Sequence, residues 1–242
     1  MKQILLKILI ATLPAFIYGA QQATDLGTPS KVDSYGVIAC DDAMARLDAF
    51  ALRIQNEPNA QGYIVVYPQK NGLAGKYQSY SDFPAEYLQM TRGISSDRLT
   101  TLRGEYREVL TTELWLASAK ASLPITAAPK DGVSRGQRKF DEGFADYSTN
   151  QGKQELQTTY DLCPLGAVDF QAFAEQVRAE PASKGIIIIH LETGKSSSRA
   201  RTMTRLLRDK MVKESGVNAD RILIRNGPRR SVPSVELWIR TN

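Results

Sequence analysis

The chain has 242 residues, enough for one or two domains with real hydrophobic cores. Its 42% apolar and 24% charged residues exclude a disordered, a collagen-like and a multi-span membrane protein. One histidine and two cysteines cannot assemble a typical zinc centre, and a Ser-His-Asp triad would have to run through His190. Removing residues 1–20 leaves 29 Lys and Arg against 26 Asp and Glu, a balance too mild to imply a polyanionic partner.

In chain order, Met1-Lys2-Gln3 is a short basic start, followed by an apolar run from Ile4 to Ala20 that is interrupted by Lys7 and Pro14. The charge-free centre, Ile8 to Tyr18, has about half of the ~20 residues a helix needs to cross a bilayer. Residues 1–20 therefore read as a cleaved secretory signal, with Tyr18 bulkier than is usual near the cut. No cysteine follows the run to carry a lipid anchor, so the mature protein is expected to be exported, with no integral membrane span.

The rest of the chain contains one unit twice. Shifting by 123 residues places Cys40 on Cys163, Ala49-Phe50-Ala51 on Ala172-Phe173-Ala174, Glu57-Pro58 on Glu180-Pro181 and Gly62 on Gly185. Further along, Gly93 falls on Gly216, Asp97-Arg98 on Asp220-Arg221, Gly104 on Gly227, Arg107 on Arg230 and Glu113-Leu114-Trp115 on Glu236-Leu237-Trp238. Over Cys40–Trp115 there are 17 identities in 76 ungapped positions. Average composition alone would give roughly four or five.

Each copy has the same predicted elements. An opening strand lies near Val32–Ile38 in copy one; in copy two it lies near Phe140 or near Leu156–Tyr160. Ala43, Leu47, Phe50, Ala51 and Ile54, and then Gly166, Phe170, Phe173 and Val177, recur at helical spacing. Each helix stops before Glu-Pro because proline disfavours α geometry in the preceding residue. The β-branched runs Tyr63–Tyr67 and Ile186–His190 read as central strands. Second helices follow near Asp82–Thr91 and Ser197–Glu214, ending at Gly93 and Gly216, which suit left-handed C-caps. Strands at Arg98–Leu102 and Arg221–Ile224, then Thr111–Leu116 and Val235–Ile239, complete each copy. The expected fold is α+β: two tandem β-α-β-α-β-β domains, each with its helices on one face of a small mixed sheet. They occupy residues 21–117 and 139–242, joined by a Pro- and Gly-containing linker over 118–138.

The helix ending in Glu-Pro, the phrases Gly93-Ile94-Ser95-Ser96-Asp97-Arg98-Leu99 and Gly216-Val217-Asn218-Ala219-Asp220-Arg221-Ile222, and the closing Glu-Leu strand resemble the OmpA-like C-terminal domain, the peptidoglycan-associated module. The resemblance covers about 90 residues of each copy and implies a non-catalytic protein of the bacterial cell envelope, periplasmic or secreted. In that family an Asp after the first central strand and an Arg early in the next helix hold the peptide stem of peptidoglycan. A carboxylate pairs an ammonium while a guanidinium forks onto a carboxylate. Copy one has Tyr67-Pro68-Gln69-Lys70 there, with no acid. Copy two has His190-Leu191-Glu192 and then Arg199, Arg201 and Arg205. Glu192, Arg199, Arg201 and Arg205 are thus the candidate ligand residues that the resemblance implies. Between Tyr67 and Arg92 the two copies share no residue, so they are expected to keep a scaffold and differ in what they contact.

From Lys195 to Arg230 there are 11 Lys and Arg against 3 Asp and Glu, with Arg201, Arg205 and Arg208 along one helix face. Such a run suits peptidoglycan or another anionic envelope component, although a charge run on a helix is more often a merely solvated face. Nucleic acid is disfavoured by the export signal and by the lack of an interleaved aromatic platform. A protein partner is the alternative, with Tyr77, Tyr80, Phe83 and Tyr87 as the candidate surface and core packing as the competing explanation. Cys40 and Cys163, at equivalent positions in an exported chain, are candidates for one disulfide; the other reading is two separate thiols under their own helices. Trp115 and Trp238 are expected to pack rather than stack on a ligand, and His190 to be structural. No nucleophile motif, phosphate loop, metal set or cofactor site is read from the sequence, so no enzyme activity is expected.

Overall fold

The computed structural model of the chain describes residues 28–126, 136–158, 165 and 167–241. The expected signal segment, Cys163 and part of the linker lie outside them. Module one runs β1 (Ser30–Tyr35), α1 (Cys40–Asn56), β2 (Ala60–Tyr67), α2 (Ala74–Glu86), β3 (Leu99–Arg103) and β4 (Thr111–Ser118). Module two opens with β5 (Gly136–Phe144), adds a hairpin of β6 (Asp146–Asn150) and β7 (Lys153–Gln157), and continues with α3 (Phe170–Ala179), β8 (Ser183–His190), α4 (Ser197–Asp209), β9 (Ile222–Asn226) and β10 (Ser234–Thr241). The fold is mixed α+β, made of two similar sheet-and-helix units.

The sheets have the orders β1-β4-β2-β3 and β5-β10-β8-β9. Within each, the parallel pair is in the same register: Gly62 faces Leu99, and Gly185 faces Ile222. The antiparallel pairs agree as well, with Gly62 opposite Leu116 and Gly185 opposite Ile239. Every one of these positions is related by 123 residues, so the repeat read in the sequence is a repeat of strand pairing.

The shared residues explain themselves once placed. A Cβ on Gly62 would come within 2.6 Å of Ile54, and one on Gly185 within 2.9 Å of Ile222 and Phe173, so glycine lets the first helix lie close to the sheet. The Arg98 guanidinium donates to the carbonyls of Ile54, Glu57 and Ala60 at 2.6, 2.7 and 2.9 Å. Arg221 does the same to Val177, Glu180 and Ser183. These carbonyls lie where the first helix ends and the central strand begins, at the negative end of the helix dipole. Gly93 and Gly216 both have φ +66°, and the amides that follow them reach back to Leu88 and Met211 at 3.0 Å. That is the expected glycine C-cap.

Helix faces follow the apolar spacing. Leu47, Phe50 and Ile54 of α1 meet Ile64, Val66, Leu114 and Leu116 in one core; Phe173, Val177, Met203 and Leu207 meet Ile187, Ile189, Leu237 and Ile239 in the other. Both helices of each module contribute to one core, so they share one face of the sheet. Asp41 and Asp42 in the first turn of α1 complement its dipole, and Asp169 caps α3 by accepting from the Ala172 amide at 2.7 Å.

Two details differ from the sequence reading, and a choice that it left open is decided. Helix α2 begins at Ala74 rather than near Asp82, because Tyr80 and Phe83 ahead of Pro84 are buried in the core; the helix runs through the proline and widens into a π-type turn at Tyr87–Thr91. The opening strand of module two is the one at Phe140, since Leu156 belongs to the hairpin. The segment after β4 also turns back on module one, where the Glu105 amide donates to the Thr126 carbonyl at 2.9 Å.

The modules touch where α2 meets β5. Lys76 lies 3.4 Å from the Asp141 carboxylate and donates to the Ala167 carbonyl at 3.2 Å. A Cβ on Gly75 would stand 2.6 Å from Asp141, so only glycine permits this approach. Leu165, from the second half of the chain, is buried in the core of module one.

Candidate functional site

In module two the chain leaves β8 through His190, Leu191 and Glu192 and enters α4 at Ser197. This loop is fixed to the segment before β10: the Thr193 amide donates to the Arg230 carbonyl at 2.9 Å, and Arg230 donates back to Leu191 at 3.0 Å. The Arg229 guanidinium adds bonds to the carbonyls of Glu192 and Lys195 at 3.0 and 2.6 Å. The Glu192 carboxylate is 39% exposed and pairs with Lys195 at 3.3 Å.

The arginines do not converge on Glu192. Arg199 grips Asp146 of the hairpin, with its Nη2 at 2.5 Å from Oδ1 and its Nε at 2.9 Å, donates to the Tyr147 carbonyl at 3.2 Å and lies 4.4 Å from the centroid of the Tyr147 ring. Arg205 donates to Gln154 at 2.7 Å and lies 3.6 Å from Asp209. Arg201 and Arg208 are exposed, with no ion pair among the described residues. Two of the three arginines that sequence reasoning singled out therefore hold the β6–β7 hairpin against α4.

That hairpin is the main element the sequence reading missed. Its signal was present: Asp146–Asn150 and Lys153–Gln157 flank Gln151-Gly152, whose φ angles of +48° and +78° make a two-residue hairpin turn.

The corresponding place in module one is open. A cavity of about 630 Å³ lies at the end of β2, walled by the 68–74 loop, the start of α2, the end of β3 and Leu165. Tyr77 and Tyr80 of α2 line it, with Arg103 of β3 lying 4.5 Å from the Tyr77 ring centroid and donating to the Tyr106 hydroxyl at 2.9 Å. Between the modules lies a second hollow of about 770 Å³, bordered by α2, β7, α3 and α4 and rich in carboxylates, among them Asp82, Glu86, Glu175 and Asp209. Burial, with the charges of Asp82 and Glu175 beside it, raises the Asp169 carboxyl there above its ordinary value.

The helix-free faces of the two sheets carry matching polar nests. Glu113 accepts from Trp115 Nε1 at 3.0 Å, Arg107 at 3.1 Å, the Tyr67 hydroxyl at 3.1 Å and Lys31 at 3.3 Å. Glu236 accepts from Trp238 Nε1 at 2.9 Å and from Arg230, with Lys139 at 3.4 Å and His190 Nε2 at 3.5 Å. Burial works to raise both carboxyls, but the converging donors outweigh it and hold both below the usual range. Burial and the Glu113 carboxylate together push the Tyr67 phenol up to about 12.

The other candidates take structural places. Trp115 and Trp238 lie on interior strands beneath Lys31 and Lys139, and the His190 ring sets Nδ1 2.8 Å from the Pro228 carbonyl. Tyr80 and Phe83 are buried in the core, with Tyr77 and Tyr87 packed against it, so these four rings do not form an outer surface. Cys40 is disulfide-bonded; Cys163 lies outside the described residues. Among the described residues no group of three or more His, Cys, Asp and Glu is placed to hold a metal. No protein-family model matches the chain, and no curated protein is similar to it in sequence.

Proposed function

We propose that the chain is a non-catalytic, exported cell-envelope protein of two degenerate OmpA-like modules, which contacts peptidoglycan or another anionic envelope component through the outer face of α4. The observation that carries this reading is the exposure of Arg201 and Arg208 on that face, without ion pairs among the described residues. Arg199 is a positioning residue that holds the hairpin, and Glu192 a marginal contact. The element order β-α-β-α-β-β, found twice with a hairpin inserted after the first strand of the second copy, supports the modular part of the reading. Among the described residues no helix is long and apolar enough to cross a membrane. We also infer that Cys40 is bonded to Cys163, the chain's other cysteine, as the oxidising conditions met by an exported protein would favour.

The test is co-sedimentation of the mature chain with purified sacculi at low salt. Retention should fall as salt rises and should be lost in the double variant Arg201→Glu, Arg208→Glu, while Glu192→Ala weakens it less. No retention at low salt, or retention indifferent to the double variant, overturns the reading.

A second reading, a structural or assembly subunit, rests on the outer edge of β1. Asp33 occupies there the sheet position of Asp141: each stands opposite a repeat-related leucine, Leu114 and Leu237, beside a bulge. Asp141 is buried against α2, whereas Asp33 is partly exposed and pairs with Arg46 at 2.8 Å. A co-purifying protein released by Asp33→Lys would favour this reading, and its retention would count against it.

A further inference from the structure

We propose that the helix-free face of module two's sheet is a docking surface for an extended, acidic segment of a partner protein that carries apolar side chains at alternate positions. Strand pairing sets Leu223, Ile186 and Trp238 side by side in one row across this face, and Ile188 beside Arg225 in the next. Ile186 is buried, and Leu223, Ile188 and Trp238 are half-buried, so the apolar centre is recessed. A recessed centre receives side chains that project from a partner, whereas a bilayer would require the apolar groups to project from the face itself.

Charge selects the partner. Lys184 and Arg240 stand opposite each other on one side of the apolar row, and Arg225 lies on the other side. Among the described residues none of the three has a hydrogen bond or ion pair, and the Nε of Arg240 is buried without a partner. The acids of this face are already engaged, Glu236 by Trp238, Arg230 and Lys139, and Glu142 by Lys139. Carboxylates brought by a partner would complement the three cations.

Module one shows what such a face accepts. On its helix-free face Val65 and Ala117, the repeat equivalents of Ile188 and Arg240, are fully buried. The chain beyond β4 runs from Ser118 to Thr126, whose carbonyl accepts from the Glu105 amide past the end of β3. Both helices of the module lie on the other side of the sheet, so this stretch crosses the helix-free side. Its exposure alternates: Ala121, Leu123 and Ile125 are half-buried, and Ser122, Pro124 and Thr126 are exposed. That is the period of an extended segment with one apolar edge turned to a surface. The face it crosses has Gln61, Leu102 and Ala117 where module two has Lys184, Arg225 and Arg240, and Gln61 satisfies itself on Thr100 at 2.7 Å. Module two thus keeps an apolar centre but replaces three neutral residues with cations, so a segment of the same form would need to be acidic. Helix α4 packs on the opposite side of this sheet, and the proposal is independent of the contact assigned there.

Fluorescence anisotropy of a labelled heptapeptide, titrated with the full mature chain, tests it. The probe is Glu-Ser-Leu-Pro-Ile-Thr-Glu, the sequence of residues 122–126 with a glutamate at each end, so that strand alternation places Glu, Leu, Ile and Glu on one side. Saturable binding is expected. It should weaken about tenfold in the double variant Arg225→Gln, Arg240→Gln, and by a similar factor when glutamine replaces both glutamates of the probe. Leu223→Asp should weaken it at least as much, and Arg201→Glu with Arg208→Glu on α4 should leave it unchanged. Circular dichroism confirms that each variant is native, and Lys184→Glu with Arg225→Glu, at two exposed positions, serves where Arg240→Gln does not fold. No saturable binding, equal binding of the glutamate and glutamine probes, or loss only in the α4 variant overturns the proposal. Binding to phosphatidylglycerol vesicles through Arg225 and Arg240, without binding of the peptide, also overturns it in favour of a membrane.

Discussion

The start of α2 and the start of α4 are one place in the repeat, used in two ways. In module one a glycine and a lysine there meet the other module: Gly75 lets Asp141 approach, and Lys76 pairs with it. In module two the equivalent basic residue, Arg199, meets a hairpin that belongs to its own module. Both helices carry a cation onto an acid supplied by the β5–β6 stretch, but one bond joins two modules and the other closes a single one. A duplicated frame can thus keep its pairing chemistry while changing what the pairing accomplishes.

If the frame is shared, equivalent core residues should be worth the same. Phe50→Ala and Phe173→Ala each remove a fully buried ring and should each cost about 3–5 kcal/mol, read from urea unfolding. A loss in one module only would break the equivalence. The cations at the helix starts should differ instead. Lys76→Met leaves Asp141 fully buried without its partner and should cost about 3 kcal/mol, toward the lower end for a broken buried pair because Lys76 keeps 28% exposure. Arg199→Met leaves Asp146 at 16% exposure, with water nearby, and should cost about 1 kcal/mol. The reverse order would mean that the hairpin, not the contact between modules, is the firmer joint.

The smallest effect concerns pH, and its sign differs between the two kinds of carboxylate. Glu113 and Glu236 lie below their ordinary 4.5, so their contribution is complete above that value and fades as pH falls through their native values. Asp141 is shifted the other way, since burial outweighs Lys76 and the amides of Asp169 and Glu142. Its contribution is complete below 3.8 and fades as pH rises through its native value. Glu113→Gln should therefore flatten the acid side of the stability profile, and Asp141→Asn should flatten the decline above it. Matching slopes in both variants would contradict this assignment.

Much of the frame could be read in advance because it is local or repeated. Glycine before a β-branched run and proline after a helix act over short spans, and Arg98, whose carbonyl partners are distant in sequence, was marked by its recurrence as Arg221 in the second copy. The start of α2 was placed too late, since Tyr80 and Phe83, ahead of Pro84, are buried in the core and extend the helix back to Ala74. The site was harder to read. Glu192 and Arg199 stand seven residues apart in sequence, yet Arg199 finds its partner at Asp146, fifty-three positions away, through a hairpin whose docking no local pattern specifies. The cavity was hidden for the same reason, because Leu73, Arg103 and Leu165 meet only once the sheet and the second module are in place.

The most direct test is a crystal structure of the mature chain, superposing residues 60–118 on residues 183–241. Gly62, Arg98, Glu113 and Trp115 should fall on Gly185, Arg221, Glu236 and Trp238, with the hairpin over α4 and an open hollow beside α2. Strand ladders offset from that pairing, or a hairpin standing away from Arg199, would contradict a common frame with divergent ends.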